Sequence, residues 1–230
     1  MRSDVSARAL EVSWLGPVPY AVSLAQQADL VQARRAGDIP DQLLLLEHPH
    51  VITLGTSAHT EHVLADAGER QRRGIELFET GRGGDVTYHG PGQLIGYPIL
   101  DLKPDRCDLH RYVRTIEEAL IRALSELDVR ATRIAGLTGV WVEDRKIAAI
   151  GVRVSSGWIT SHGFALNVST DLSYFSSIVP CGIPHCSVTS IEREIGSEVA
   201  ASRVRAVVAA RFAEVFERTL VVAVAGVGAH

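Results

Sequence analysis

Disulfide bonding has almost nothing to work with in this sequence. The three cysteines, Cys107, Cys181 and Cys186, are unevenly spread over 230 residues. They are too few for a disulfide framework, and the odd count leaves at least one thiol free. A free thiol suits a reducing compartment, so the expected location is the cytoplasm. Charge of one sign is equally scarce: 23 Lys and Arg stand against 27 Asp and Glu, a net charge of −4. Neither sign forms a long block, which leaves no electrostatic footprint for nucleic acid or for an anionic membrane. The longest apolar stretch, residues 220–228, falls far short of the ~20 residues that span a bilayer. The opening residues carry Asp4 and Glu11 and no run resembling a signal peptide.

Internal repeats, low-complexity segments and linkers are missing as well, so residues 1–230 are expected to form a single domain. Apolar residues make up 46% and charged residues 22%, the balance of a soluble globular protein rather than a disordered tail, a collagen repeat or a coiled coil. A chain of this length typically buries roughly 70–75% of its unfolded surface, enough for a core without staples.

What is present alternates strands and helices in groups. Tyr20, Leu24, Ala28 and Val31 recur at helical spacing, with Gly37 as the stop. Leu43 to Leu46 and Val51 to Leu54 are short apolar runs separated by His48-Pro49, and both predict strands. Thr60 is the expected cap of a helix reaching Arg73 and ending at Gly74, followed by an extended segment from Ile75 to Glu79. Asp108 caps the clearest helix, whose stripe is Leu109, Tyr112, Val113, Ile116, Leu120, Leu124 and Leu127. Val140–Val142, Ile147–Val154 and Trp158–Val168 read as antiparallel strands, joined by turns at residues 143–145 and 155–157. A last helix is expected from about Ser197, with Val204, Val207, Val208, Phe212, Val215 and Phe216 on one face. Clustered strands favour an α+β fold over a doubly wound α/β sheet.

Four segments carry chemistry. Residues 81–92 hold five glycines mixed with Arg82, Thr87, Tyr88 and His89. Glycines let backbone N–H groups approach a ligand closely, and the side chains add donors. The segment is either a binding loop or a pair of turns; it matches neither a Walker loop nor the GxGxxG spacing. Cys181 stands between Pro180 and Gly182, a stiff setting suited to a nucleophile, the alternative being a small buried hydrophobe. Lys146 opens an apolar run, Ile147 to Val152. It is an acid/base group or fixed cation if desolvated, and otherwise a strand-end lysine reaching water. His162 shares the Trp158–Thr160–Phe164–Leu166 face and is expected to be a packed, hydrogen-bonded histidine. Cys181 and Cys186, with His185 and the His48/His50 or His59/His62 pairs, do not make a convincing metal set.

Four blocks in fixed order resemble the lipoate-biosynthesis octanoyltransferases: residues 82–102 (RGGDVTYHGPGQLIGYPILDL), Lys146–Gly151, Ser161–Val168 and Pro180–Ile183. Glu47-His48-Pro49 and Thr53-Leu54-Gly55 are similar to the family's opening segment. The resemblance runs from about Leu43 to the final helix. It implies the biotin/lipoate protein ligase catalytic module, a mixed, mostly antiparallel sheet backed by helices, with a core at about 38–220 and a tunnel for an acyl chain. It implies octanoyl transfer from octanoyl-acyl carrier protein to a lysine ε-amine on lipoyl domains of 2-oxoacid dehydrogenase E2 subunits and on the glycine-cleavage H protein. Carried over by position, Cys181 is the acyl-accepting nucleophile and Lys146 its partner. The expected substrate contacts are Arg82, Gly83, Gly84, Asp85, Val86, Thr87, Tyr88, His89, Ala149, Ile150, Gly151, Gly163, Phe164 and Ala165. Ala149 replaces the serine that some members carry. No cofactor and no metal is implied, because a thioester donor is already activated. An ATP-dependent ligase on the same fold, and a non-catalytic acyl-binding module, are the competing expectations.

Overall fold

The computed structural model describes residues 8–104, 106–179 and 187–222. Strands β1 (Arg8–Pro17), β2 (Asp41–Glu47), β6 (Gln93–Ile99), β7 (Val140–Val142), β8 (Arg145–Val154), β9 (Thr160–Asn167), β10 (Ser187–Val188) and β11 (Arg218–Val222) form one mixed sheet. Its order is β10-β8-β9-β6-β2-β1-β11, with β7 beside β8. The centre, from β8 through β9 and β6 to β2, is antiparallel, whereas β1 runs parallel to both β2 and β11. A second, three-stranded sheet is formed by β3 (Val51–Leu54), β4 (Glu76–Glu79) and β5 (Val86–His89), in the order β4-β3-β5.

Helices cover both faces of the large sheet, which explains four consecutive leucines in β2. Leu43 and Leu45 join the core under α3 (Leu109–Glu126) and α5 (Ala201–Val215), while Leu44 and Leu46 face the layer that holds Val18, Ile95, Tyr97 and Ala165. Successive side chains of a strand point to opposite faces, so a strand buried on both sides reads as a continuous apolar run. The helix α1 (Tyr20–Ala36) packs on β6 and β9 from that second side and ends at Gly37, whose φ of 85° is the left-handed conformation glycine adopts without penalty. Asp41, with a fully buried carboxylate, ties the edge together. It accepts from Arg34 Nε and Arg218 Nε, both at 2.8 Å, and from the Asp101 N–H at 3.0 Å.

Several sequence expectations hold, including α1 with its stop, β2, β3, the Asp108 cap (its carboxylate accepts from Arg111 N–H at 3.0 Å) and the antiparallel β7–β8–β9 group. Others are corrected. The helix expected from Thr60 to Arg73 is a single 3₁₀ turn at Thr60–His62 and a separate α2 (Ala67–Arg72) capped by Asp66. Between them Val63 bridges to Ile178, and the N–H groups of Leu64 and Ala65 donate to Ser177 O, so tertiary pairing displaces the helix. The helix expected from about Ser197 is α5, which starts at Ala201, and a short α4 (Ile191–Ile195), closed by Gly196 in the left-handed region, precedes it without having been expected. Leu109, placed on the apolar stripe of α3, is 45% exposed. On α1 the buried positions are Tyr20, Ser23, Gln27 and Val31, with Ala28 outside. Two polar side chains therefore take places periodicity gave to apolar ones. Among the described residues no helix is long and apolar enough to cross a membrane.

Candidate active site

The loop before β5 folds over the middle of β8. Gly83 N–H donates to Val152 O at 2.8 Å, and the Arg82 side chain lies across Gly151. A Cβ on Gly151 would approach Gly83 O to 2.9 Å and Arg82 Cδ to 3.2 Å, so glycine is what permits the approach. The result is a cavity of about 270 Å³ between the two sheets. It is lined by Arg82, Gly84, Asp85, Val86, Thr87 and His89 from loop and β5, by Lys146, Ala149, Ile150 and Gly151 from β8, and by Gly163, Phe164 and Ala165 from β9. Those thirteen expected positions are thus brought to one place. Two are not: Gly83 is engaged with β8, and Tyr88 points away, its hydroxyl 2.7 Å from His50 Nδ1. Cys181, Cys186 and His185 lie outside the described residues.

Lys146 is 5% exposed, with Nζ 4.6 Å from the centre of the Trp141 ring. The strand-end alternative, a lysine reaching water, is therefore excluded; the ammonium sits at the cavity, beside a ring face that attracts cations. Next to Lys146, the loop Gly136–Thr138 closes the cavity. Glu117 of α3 holds that loop, its buried carboxylate accepting from Gly139 N–H at 3.1 Å and from Arg114 and Arg133.

Arg82 is buried and fixed by Thr53: Nε and Nη2 donate to Thr53 Oγ1 at 3.1 and 2.9 Å, and Nη2 also donates to Thr53 O. His89 and His162 feel its charge, and His48 lies behind His89, ring centroids 5.9 Å apart. Burial, reinforced by neighbouring His48, holds His89 at a pKa of about 3, and burial holds His48 at about 4. His162 is also held at about 4, by burial and then by the charges of Arg82 and Arg153. At neutral pH all three rings are uncharged, and the two that line the cavity, His89 and His162, leave its wall suited to an apolar ligand. His89 Nδ1–H donates to Gln93 Oε1 at 2.8 Å, Gln93 Nε2 to Asn167 Oδ1 at 2.9 Å, and Asn167 Nδ2 to Thr189 O at 2.9 Å. This buried chain of side-chain bonds runs from the cavity wall to Thr189, directly after β10, and the Thr189 N–H donates to Lys146 O.

His162 is corrected. Strand alternation put it with Phe164 and Leu166, but its φ is 54°, which turns the ring to the opposite face, against Tyr97. Gln27 Oε1 accepts from the His162 N–H at 2.8 Å and supports that backbone. Sequence reasoning missed Tyr20, Tyr97 and Gly136–Thr138 as cavity walls; the only signal for the last was a Gly-Leu-Thr-Gly run before β7. Among the described residues no group of three metal-ligating side chains is gathered.

Residues 19–213 match the lipoyl protein ligase A/B catalytic domain family. The chain is 53% identical over 218 residues to the octanoyltransferase of Rubrobacter xylanophilus, covering 94% of this chain and 97% of that one. It is 59% identical over 169 residues to that of Solibacter usitatus, covering 74% and 76%. This chain belongs to the octanoyltransferase family. Octanoyltransferases are acyltransferases, and the activity of this one lies in lipoate biosynthesis. Its fold is that of lipoate-protein ligase A bound with ATP (TM-score 0.70, 18% identity, 94% of this chain and 90% of that one). A bipartite lipoate protein ligase of Thermoplasma acidophilum gives 0.68 at 19% identity, covering 94% and 88%. The biotin protein ligase of Aquifex aeolicus gives 0.52 at 13%, covering 90% and 69%. The octanoyltransferase chain thus has the expected ligase-like architecture, and β1 and α1, which precede residue 38, are built into it.

Proposed function

We propose that this octanoyltransferase moves the octanoyl group from octanoyl-acyl carrier protein to the ε-amine of a lysine on a lipoyl domain, through a thioester on Cys181. The whole chain acts as one domain, in the cytoplasm. The observation that supports this reading best is a buried ammonium, Lys146, at an apolar cavity in a chain of this family. The acceptors are the lipoyl domains of 2-oxoacid dehydrogenase E2 subunits and the glycine-cleavage H protein; the Thermoplasma neighbour belongs to a lipoylation system with an E2 lipoyl domain of its own.

The chemistry follows from the residue types. The Cys181 thiolate attacks the thioester carbonyl, a new carbon–sulfur bond forms, and the carrier's thiol leaves. The lysine amine of the acceptor then attacks the acyl-Cys carbonyl, the amide forms, and the Cys181 sulfur departs. One thioester replaces another in the first step, and aminolysis of a thioester is downhill, so no ATP is consumed. Lys146 stabilises the thiolate by charge, gives its proton to the departing carrier sulfur so that it leaves as the thiol, and as the neutral amine then accepts the proton that the attacking amine gives up. The arms Ala149–Gly151 and Gly163–Ala165 hold the acyl chain, with Arg82, Gly84–Thr87 and His89 covering it.

The test is an octanoylation assay with a purified lipoyl domain. Transfer from octanoyl-acyl carrier protein without ATP or added metal is the expected result. Transfer only from free octanoate with ATP would make the protein a ligase, and binding without transfer would make it an acyl-binding module.

A further inference from the structure

The cavity that holds Lys146 is not the only space His162 touches. On its other side lies a cleft of about 560 Å³ between α1 and the ends of β4, β8 and β9. Its apolar part is formed by Leu24, Ala28 and Val31, and Arg153 and Glu79 also line it. His162 lines both spaces. We infer that the His162 ring is the partition between them and sets the longest acyl chain the enzyme accepts; this rests on the reading that the inner cavity holds the acyl chain.

The placement supports the role. Lys146 and Gly151 mark the two ends of the β8 wall, about 17 Å apart at roughly 3.4 Å per residue. With carbon–carbon bonds of about 1.5 Å, an extended eight-carbon chain uses about 10 Å of this. The thioester and the lysine side chain occupy the rest. His162 pairs across the sheet with Val152, one residue beyond Gly151, so its ring meets the tail rather than the reacting carbonyl. The ring reaches that position only because its backbone is left-handed, φ 54°, and because Gln27 holds its N–H. Gln27 is 2% exposed, and its Nε2 has no hydrogen-bond partner among the described residues. A buried amide spent on one backbone group marks that conformation as maintained at a cost. Ring contact with Tyr97, centroids 6.4 Å apart at 88°, fixes the other side of the partition.

The experiment compares octanoyl- and dodecanoyl-acyl carrier protein as donors for wild type, His162→Gly and His162→Asn. Glycine removes the ring and accepts positive φ freely; asparagine shortens the side chain and tolerates the same conformation, so it gives the answer if the glycine variant does not fold. Merging the two spaces should raise the dodecanoyl-to-octanoyl rate ratio at least about tenfold, the scale on which a pocket discriminates a few methylenes. An unchanged ratio in a folded variant, or a wild type that already uses both donors equally, overturns the partition. A wild type that transfers neither chain overturns instead the reading of the cavity.

Discussion

Acidification from pH 7.5 to 5.0 should remove a large part of the stability of this protein, well before its carboxylates titrate. His48, His89 and His162 are held near pKa values of about 4, 3 and 4, chiefly by burial, against about 6.5 in the unfolded chain. Between those limits the unfolded chain binds protons at these rings and the folded chain does not. Stability is therefore complete above pH 6.5 and falls as pH drops toward 4. At pH 5.0 each ring contributes a loss of about 2 kcal/mol, and three independent rings about 6 kcal/mol. That is comparable with the whole stability of an ordinary domain, about 5–15 kcal/mol. His50, lowered by burial and Arg73, adds in the same direction. Asp66, Glu118 and Asp171 have lowered carboxyl pKa values, so their contributions are lost only below the usual carboxylate range, outside this window. Urea unfolding at pH 7.5, 6.5, 5.5 and 5.0, followed by tryptophan fluorescence, measures the slope. A free energy at pH 5.0 within about 1 kcal/mol of that at pH 7.5 would refute the reasoning, since each ring alone carries more than that.

Removing the Lys146 ammonium with Lys146→Ala should move the alkylation of Cys181 to higher pH and slow acyl transfer, whereas Lys146→Arg keeps the cation and part of the effect; an identical alkylation profile in a folded Lys146→Ala protein would remove Lys146 from the chemistry. Gly96→Ala would set a Cβ 2.1 Å from Phe164 Cζ in the core, costing about 1–3 kcal/mol and lowering Tm by several degrees in thermal unfolding; an unaltered Tm contradicts the packing. Asp41→Asn leaves Arg34 and Arg218 without their buried carboxylate and should cost about 3–5 kcal/mol in chemical denaturation, a loss below 1 kcal/mol being the contrary result.

The central strands were legible because they write themselves as uninterrupted apolar residues: Leu43–Leu46 is buried on both faces, and Ile147–Val152 packs on the core with Ala149, Ile150 and Gly151 lining the cavity. α3 was legible because its cap and its stripe agree. β1 was not, because only Leu10 within it is fully buried and its Glu11 and exposed Trp14 read as surface. The inward face of α1 was misread for a local reason: Gln27 is buried to serve one backbone N–H 135 positions away, and no periodicity encodes that. The same bond marks the reversal of His162, a left-handed residue inside a strand that alternation rules assign to the wrong side. The glycine-rich loop, Lys146 and the two strand tripeptides were found as separate segments, but only the fold explains their convergence, through the cross-strand pairs Ala149–Ala165 and Gly151–Gly163. Glu117, buried amid the apolar stripe of α3, anchors the Gly136–Thr138 loop and had no signal beyond its position.

The acyl-enzyme itself is the most direct test. Intact-protein mass spectrometry after incubation with octanoyl-acyl carrier protein, followed by peptide mapping, should find one octanoyl group on Cys181. The adduct should be absent in Cys181→Ser, retained in Cys186→Ser, and discharged by adding a lipoyl domain. An adduct that persists in Cys181→Ser, or octanoylated lipoyl domain produced at the wild-type rate by that variant, would contradict the account.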